Sequence, residues 1–268
     1  MRVAFIGDIV GRPGREIIRD NLKALKKEFE IDFVVANGEN ASHGFGLTVK
    51  NCDELLSYGI DVITGGNHTW DKKKDMHELL ISKPVLRPHN YPDGVIGTGL
   101  KTLDEKLAIL NIMGQYGMPN TDNAFNIAIK EVQNLHNQGI KDILIDFHAE
   151  ATSEKAVMLQ LLKNRVSAIF GTHTHIGTDD LSIIENTAFV TDVGLTGCND
   201  GVIGMEAKEP INKAIYGVSN HFDIAKKCAK IMQMIVFDTD NGKCENAFKI
   251  KLLQNKSDKK RIITEALC

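Results

Sequence analysis

Eight side chains in this sequence could hold or move charge at one place: Asp8, Glu39, Asn40, Asn67, His68, His148, His173 and His175. Carboxylate, amide oxygen and imidazole suit iron, manganese or zinc better than a thiolate-loving metal. They are also groups that pass protons. Each lies just past a short apolar run. Asp8 follows Val3, Phe5 and Ile6, and Glu39 with Asn40 follow Phe33, Val34 and Val35. Asn67 and His68 follow Asp61, Val62 and Ile63; His148 closes the run from Ile143 to Phe147; His173 and His175 follow Ala168, Ile169 and Phe170.

Taken singly, most of these residues have an ordinary structural reading. Asp8 could begin a turn, Glu39 and Asn40 could sit in a plain loop, and Asn67 with His68 could be an exposed turn. His148, after an apolar run, could be a buried structural histidine. Gly171-Thr172-His173-Thr174-His175 is more pointed, because residues i and i+2 of an extended segment face the same way and both imidazoles can reach one centre. The glycines around Asp8 loosely mimic a nucleotide loop, but neither Gly-x-Gly-x-x-Gly nor a following Gly-Lys-Ser/Thr is present. His43, His77, His89, His136 and His221 read as surface or internally satisfied residues, and the basic runs at Lys72–Lys74 and Lys259–Arg261 as solvated faces.

The apolar runs have the strand signature: short, β-branched or bulky, and stopped by glycine or a polar cluster. Between them lie helical patterns. Ile18, Leu22, Leu25 and Phe29 form one apolar stripe, with Pro13 in the expected first turn. A second helix is expected from about Val49 to Tyr58, stopped by Gly59. A third should start near an N-cap at Ser153 and turn Val157, Leu161 and Leu162 inward. Strand–helix alternation implies a mostly parallel, buried sheet whose strand ends gather on one edge, where α/β folds bind ligands. The C-terminal third differs. Phe189–Val190, Met234–Phe237 and the alternating Phe248–Leu252 read as strands, and Asp240-Asn241-Gly242 between the last two reads as a hairpin. These C-terminal strands are expected to form a second, partly antiparallel sheet packed on the first.

Bulk properties narrow the function. The 268 residues contain 43% hydrophobic and 25% charged side chains, ordinary for a folded chain with a substantial core. With 32 basic and 35 acidic residues, the net charge of −3 offers no general attraction to nucleic acid or anionic membrane. No apolar stretch is long enough to span a bilayer, and the N-terminal run is broken by Asp8, so neither a membrane anchor nor a signal peptide is expected. Cys52, Cys198, Cys228, Cys244 and Cys268 are odd in number and scattered, which points to reduced thiols in a cytoplasmic protein. With no repeat or linker, one domain over residues 1–268 is expected.

Together the motifs resemble the calcineurin-like metallophosphoesterases, whose two-metal centre is built from Asp-x-His, Gly-Asp-x-x-Asp, Gly-Asn-His-Asp/Glu and Gly-His-x-His. This chain departs from that pattern: Ile9-Val10 follows Asp8, Asn37-Gly38-Glu39-Asn40 replaces Gly-Asp, Thr69 follows His68, and Thr172 precedes His173. The departures are similar to the YmdB-type bacterial subfamily. Its stretches match Gly7-Asp8-Ile9-Val10-Gly11-Arg12-Pro13-Gly14, Asn37-Gly38-Glu39-Asn40-Ala41, Gly66-Asn67-His68-Thr69-Trp70-Asp71, Asp146-Phe147-His148-Ala149-Glu150 and Gly171-Thr172-His173-Thr174-His175. Pro88-His89-Asn90-Tyr91-Pro92 and Thr191-Asp192-Val193-Gly194 also fit, so the resemblance runs from residue 1 to about residue 255.

The resemblance implies an α/β fold of two packed mixed β-sheets flanked by helices, a four-layer α/β/β/α sandwich. It implies two transition-metal ions, iron foremost with manganese or zinc as alternatives. Glu39 would bridge them; Asp8, Asn40 and His175 would complete one site, and Asn67, His148 and His173 the other. His68 would stay free of metal as the proton donor, with Asp71 orienting its ring. Two metals about 3.5–4 Å apart can each bind a phosphate oxygen and hold a hydroxide between them for in-line attack. The expected activity is a metal-dependent phosphodiesterase opening 2′,3′-cyclic nucleotides to 3′-nucleotides. The alternatives are a broader phosphomonoesterase or nuclease, and a metal-dependent regulatory or binding protein with incidental turnover. The expected partner is the small phosphodiester, without a stable nucleic-acid or membrane complex, in a chain that could form a homodimer or tetramer.

Overall fold

The computed structural model describes residues 1–225, 228–255 and 258–268. The first part of the chain runs β1 (Arg2–Ile6), α1 (Gly11–Glu28), β2 (Phe33–Asn37), α2 (Val49–Ser57), β3 (Val62–Thr64), α3 (Met76–Ser82) and β4 (Val85–Leu86). The middle runs β5 (Leu100–Leu103), β6 (Leu107–Met113), α4 (Ala124–Asn137), β7 (Asp142–His148), α5 (Thr152–Leu162), β8 (Ala168–Thr172), β9 (Ser182–Ile184) and β10 (Thr187–Val190). The last part runs β11 (Gly197–Cys198), α6 (Lys208–Tyr216), β12 (Lys230–Asp240), β13 (Lys243–Gln254) and β14 (Lys259–Glu265).

Two mixed sheets result. One has the order β14-β13-β12-β1-β2-β3-β4 with β11 beside β12; the other has the order β5-β6-β7-β8-β10-β9. Of the C-terminal runs, Phe189–Val190 enters the second sheet as part of β10, whereas Met234–Phe237 and Phe248–Leu252 do not, which corrects the sequence expectation. β12 pairs antiparallel with β1, Ala4 opposite Val236, and extends the N-terminal sheet; the second sheet comes from the middle of the chain. Strand patterning identifies strands but carries no label for which neighbour a strand will choose.

Side-chain alternation assigns each strand face to a layer. In β1, Ala4 and Ile6 pack with Ile18, Leu22 and Leu55 of the flanking helices, whereas Val3 and Phe5 pack inward with Phe170, Val190 and Phe237. Phe170 stands between Phe5 and Phe237, with ring centroids 5.8 and 5.5 Å away, and joins the two sheets. On the far side, Ile145, Phe147 and Ile169 bury against Val132, Leu135, Met158 and Leu162 of α4 and α5. This gives the expected α/β/β/α layering. The Asn241-Gly242 hairpin also forms: Asp240 pairs with Lys243, and the two turn residues take φ of 50° and 85°, the left-handed pair that suits the strand twist.

Two local expectations are corrected. α5 is capped by Ala151 without a side-chain bond, and its inward residues are Lys155, Met158, Leu159 and Leu162, while Val157 and Leu161 are exposed. Apolar residues occur on both sides of this helix, so its inward face is chosen by the sheet beneath it. Cys198 and Cys228 are joined as a disulfide, whereas Cys52, Cys244 and Cys268 are free. Their separation of 30 residues hid a closeness created where β11 pairs with β12.

Candidate metal centre and active site

The eight residues converge as strand ends, but the ends come from both sheets. Asp8 follows β1, Glu39 and Asn40 follow β2, and Asn67 with His68 follow β3; His148 closes β7, and His173 with His175 follow β8. The crevice lies where the two sheets present their carboxyl edges side by side. Asp8, Glu39, Asn40, His148 and His175 are buried, and Asn67, His68 and His173 are partly exposed.

Two subclusters share Glu39. In one, Glu39 Oε1 lies 3.3 Å from the Asn40 amide, which is 3.2 Å from His175 Nε2; His175 Nε2 is in turn 3.8 Å from Asp8 Oδ1. In the other, His148 Nε2 lies 3.1 Å from Glu39 Oε1, 2.9 Å from Asn67 Oδ1 and 3.1 Å from His173 Nδ1. Glu39, His148 and His173 offer ligand atoms all within 4.8 Å of one another. A side chain at Gly66 would strike both Glu39 and His148, so only glycine leaves this space open.

Hydrogen bonds on the outer side of each imidazole turn its other nitrogen inward. The single hydroxyl proton of Thr172 goes to Asp146 Oδ1 at 2.7 Å, so Thr172 Oγ1 accepts from His148 Nδ1 at 2.9 Å. His175 Nδ1 donates to the Ile203 carbonyl at 2.9 Å, and His173 Nε2 faces Glu150 Oε2 at 3.0 Å. The inward atoms are therefore His148 Nε2, His173 Nδ1 and His175 Nε2, the arrangement by which outer-shell acceptors fix metal-binding histidines. Asp8 Oδ1 is buried without a hydrogen-bond donor, an acceptor that a cation would satisfy. By donor type and by geometry the residues fit a metal centre.

The electrostatics follow the same packing. Burial alone would raise the Glu39 carboxyl, but the facing His148 and the His68 side hold it down to about 2. Burial disfavours the His148 cation, yet Glu39 outweighs it and lifts the imidazole to about 9. Burial and the neighbouring His148 charge push His173 down to about 3. Desolvation raises Asp8, and it carries Asp146 to about 6. Such opposed shifts crowded into one cleft are typical of functional sites.

The loop after β3 is tied to Glu39 by the His68 backbone N–H, which donates to Oε2 at 2.9 Å. The His68 ring stands apart from the cluster: its Nδ1 faces Asp71 Oδ2 at 2.8 Å, the contact expected from the sequence, which leaves Nε2 as the free tip. His68 lines a cavity of about 170 Å³ with Glu39, Asn40, His173 and His175 at its polar end. Phe45, Val202, Ile203, Met205 and Phe222 supply the apolar end.

Several supporting residues were given no role by the reading of the sequence. Lys155 and Asp192 form a buried ion pair at 3.0 Å, and Asp192 Oδ2 also accepts from the Thr174 N–H and hydroxyl at 3.1 and 2.8 Å. Asp192 thereby grips the residue between His173 and His175, both of which hold positive φ, 98° and 66°. Ile203, a β-branched residue at φ 44°, turns its carbonyl to His175. Asp146 and Asp192 left a signal, since both lie in stretches matched in the sequence, and Asp146 is also a charge inside an otherwise apolar strand. Lys155 and Ile203 left none.

Fold and cluster together define a two-sheet α/β phosphoesterase of the metallophosphoesterase kind. Residues 4–251 match the family described as YmdB-like protein, and the chain belongs to that family. It is 38% identical over 248 residues to the 2′,3′-cyclic-nucleotide 2′-phosphodiesterase of Bacillus subtilis (strain 168), covering 91% of this chain and 93% of that protein. Among solved structures, a novel phosphatase from Mycoplasma pneumoniae superposes with a TM-score of 0.86 at 31% identity, covering 99% of this chain and 94% of that one. A hypothetical protein from Thermus thermophilus superposes with a TM-score of 0.85 at 31% identity, covering 99% and 100% of the two chains. Among the described residues, no helix is long and apolar enough to cross a membrane.

Proposed function

We propose that this chain is a binuclear metal-dependent phosphodiesterase that opens 2′,3′-cyclic nucleotides to 3′-nucleotides, with His68 as proton donor. The observation that carries the reading is the pair of subclusters sharing Glu39, with three imidazole nitrogens turned inward and the buried Asp8 Oδ1 without a donor. In this reading Asp8, Asn40 and His175 serve one metal, Asn67, His148 and His173 the other, and Glu39 both. Iron leads, with manganese or zinc as alternatives, because carboxylate, amide and imidazole suit all three. The substrate class is supported by the similarity to the B. subtilis enzyme.

Bound metals would supply Lewis-acid charge to the phosphoryl oxygens and an activated water-derived nucleophile at neutral pH. The chain's own residues do the rest. Asp71 accepts from His68 Nδ1 and orients the ring, so a proton on Nε2 is offered into the cavity. Transfer of that proton to the departing 2′ oxygen, as it leaves phosphorus in line, yields the 3′-phosphate. A five-membered cyclic phosphate needs little distortion to reach that geometry. Val202, Ile203 and Met205 line one end of a cavity of about 170 Å³, a size that favours a mononucleotide over an internal bond of a polymer. One metallophosphoesterase domain over residues 1–268 fits the core shared by the two sheets. In this reading the enzyme works on soluble nucleotides in the cytoplasm, and exposed Ile211, Ile215, Tyr216 and Val218 offer a surface for a homodimer or tetramer.

The test is a phosphoester panel with metal-loaded protein and separation of products by chromatography or phosphorus NMR. The expected result is selective hydrolysis of 2′,3′-cyclic nucleotides with the 3′-phosphate predominant. A predominant 2′-phosphate would reverse the proton-donor geometry, and slow, unselective turnover would favour a regulatory binder.

A further inference from the structure

The cavity is chemically two-sided, with the metal-cluster residues and His68 at one end and apolar side chains at the other. A row of rings leads outward from the proton donor. Phe45 stands edge-on to His68 with centroids 5.0 Å apart, and His221 lies 6.3 Å beyond Phe45. Both spacings fall in the range of interacting aromatic pairs. Phe222, next in sequence to His221, also lines the cavity, with the Lys213 ammonium over its ring at 5.5 Å from the centroid. Val202 and Ile203 expose 37% and 47% of their surface beside it, an apolar surface at the mouth of a charged crevice. Among the described lining residues, the polar ones are the metal-cluster residues and His68, so the apolar end carries no side chain able to read the edge of a base.

We infer that Phe45 and Phe222 form a stacking wall that holds the nucleobase of the substrate by its face and does not discriminate among bases. The inference rests on the cyclic-nucleotide reading and deepens it. A ligand with one anionic end and one flat, weakly polar end matches the cavity: the phosphate at the Glu39 end, the ribose past His68, the base against the rings. Every base has a π-face, so stacking tolerates sequence, and larger purines gain more than pyrimidines. Alanine substitution at such platforms costs about 1–3 kcal/mol per base, which is about 5- to 150-fold in affinity.

The test compares binding of nucleoside 3′-monophosphates with that of ribose 3-phosphate to the metal-loaded protein by titration calorimetry. The wild type should bind adenosine 3′-monophosphate about 5- to 150-fold more tightly than the base-free sugar phosphate. The four nucleotides should span no more than about tenfold, with purines ahead. Phe222→Ala should shrink the advantage of the base at least fivefold, and Phe222→Trp should restore it. Phe45 is spared because it touches His68. If cyclic nucleotides are hydrolysed but the base adds less than twofold in the wild type, the wall is refuted and the phosphodiesterase reading stands; this measurement needs no variant. A spread well above a hundredfold among bases would also refute it, since that demands edge-reading groups. If neither cyclic nucleotide turnover nor nucleotide binding is found, the function itself falls and the wall with it.

Discussion

Loss of the Asp192 carboxylate should damage both the stability of the fold and the metal-binding loop, and by more than loss of its partner Lys155. In Asp192→Ala the Lys155 ammonium, 1% exposed, keeps only the Thr172 carbonyl at 3.0 Å. An uncompensated buried charge of this kind costs about 3–5 kcal/mol. For a chain of this length that is a fall of roughly 5–10 °C in Tm. In Lys155→Met the surviving carboxylate still accepts from Gly194 N–H at 2.8 Å and from the N–H and hydroxyl of Thr174, so the loss should be about half as large. The double variant Lys155→Met/Asp192→Asn removes both charges and should recover most of the stability, because replacing a buried pair as a whole is often neutral. Metal content should separate from stability: without the Thr174 anchor, His173 and His175 lose their fixed backbone, so Asp192→Ala should bind metal more weakly even where it is folded. Urea unfolding of the four proteins, with elemental analysis after dialysis, provides both readouts. Equal and additive losses in the single variants, or full metal content in folded Asp192→Ala, would refute the argument.

His68→Ala should keep its metals and lose about 10²–10⁴-fold in kcat on cyclic nucleotides, but much less on an activated aryl ester whose phenolate leaves unaided; steady-state kinetics on both esters with elemental analysis checks this. Glu39→Gln should lower the content of both metals, and Asp8→Asn mainly of one, measured on purified protein. Lys249, buried with its ammonium on the Thr178 carbonyl, is pushed down by desolvation from 10.5 to about 8. Between about pH 8 and 10.5 the unfolded chain therefore binds the extra proton, so stability should rise with pH across that window by up to about 3 kcal/mol. Urea midpoints measured from pH 7 to 10.5 should show this rise in the wild type and not in Lys249→Met.

The sequence by itself determined which residues could do chemistry and that they stand at strand ends. Apolar runs closed by Gly7-Asp8, Gly66-Asn67 and Gly171-Thr172 are local signals, written by backbone propensity and turn chemistry, and the structure has those strands where the runs are. The Ile18-Leu22-Leu25 stripe and the Asn241-Gly242 turn are equally local, and α1 and the β12–β13 hairpin follow from them. Tertiary structure decided everything that depends on a distant partner. β12 and β13 were recognisable as strands and β14, read as a solvated basic run, was not; only the pairing of β12 with β1 put all three in the N-terminal sheet and left the second sheet to the middle of the chain. The tautomers of His148 and His175 are set by Thr172, Asp146 and the Ile203 carbonyl, through contacts that each span at least 24 residues. Lys155 carries no local mark of burial until the sheet beneath α5 brings Asp192 under it, and Cys198 meets Cys228 only across the β11–β12 pairing. A side chain's hydrogen-bond and charge partners depend on which elements become neighbours, a choice made by burying the two sheets against each other and left out of any local pattern.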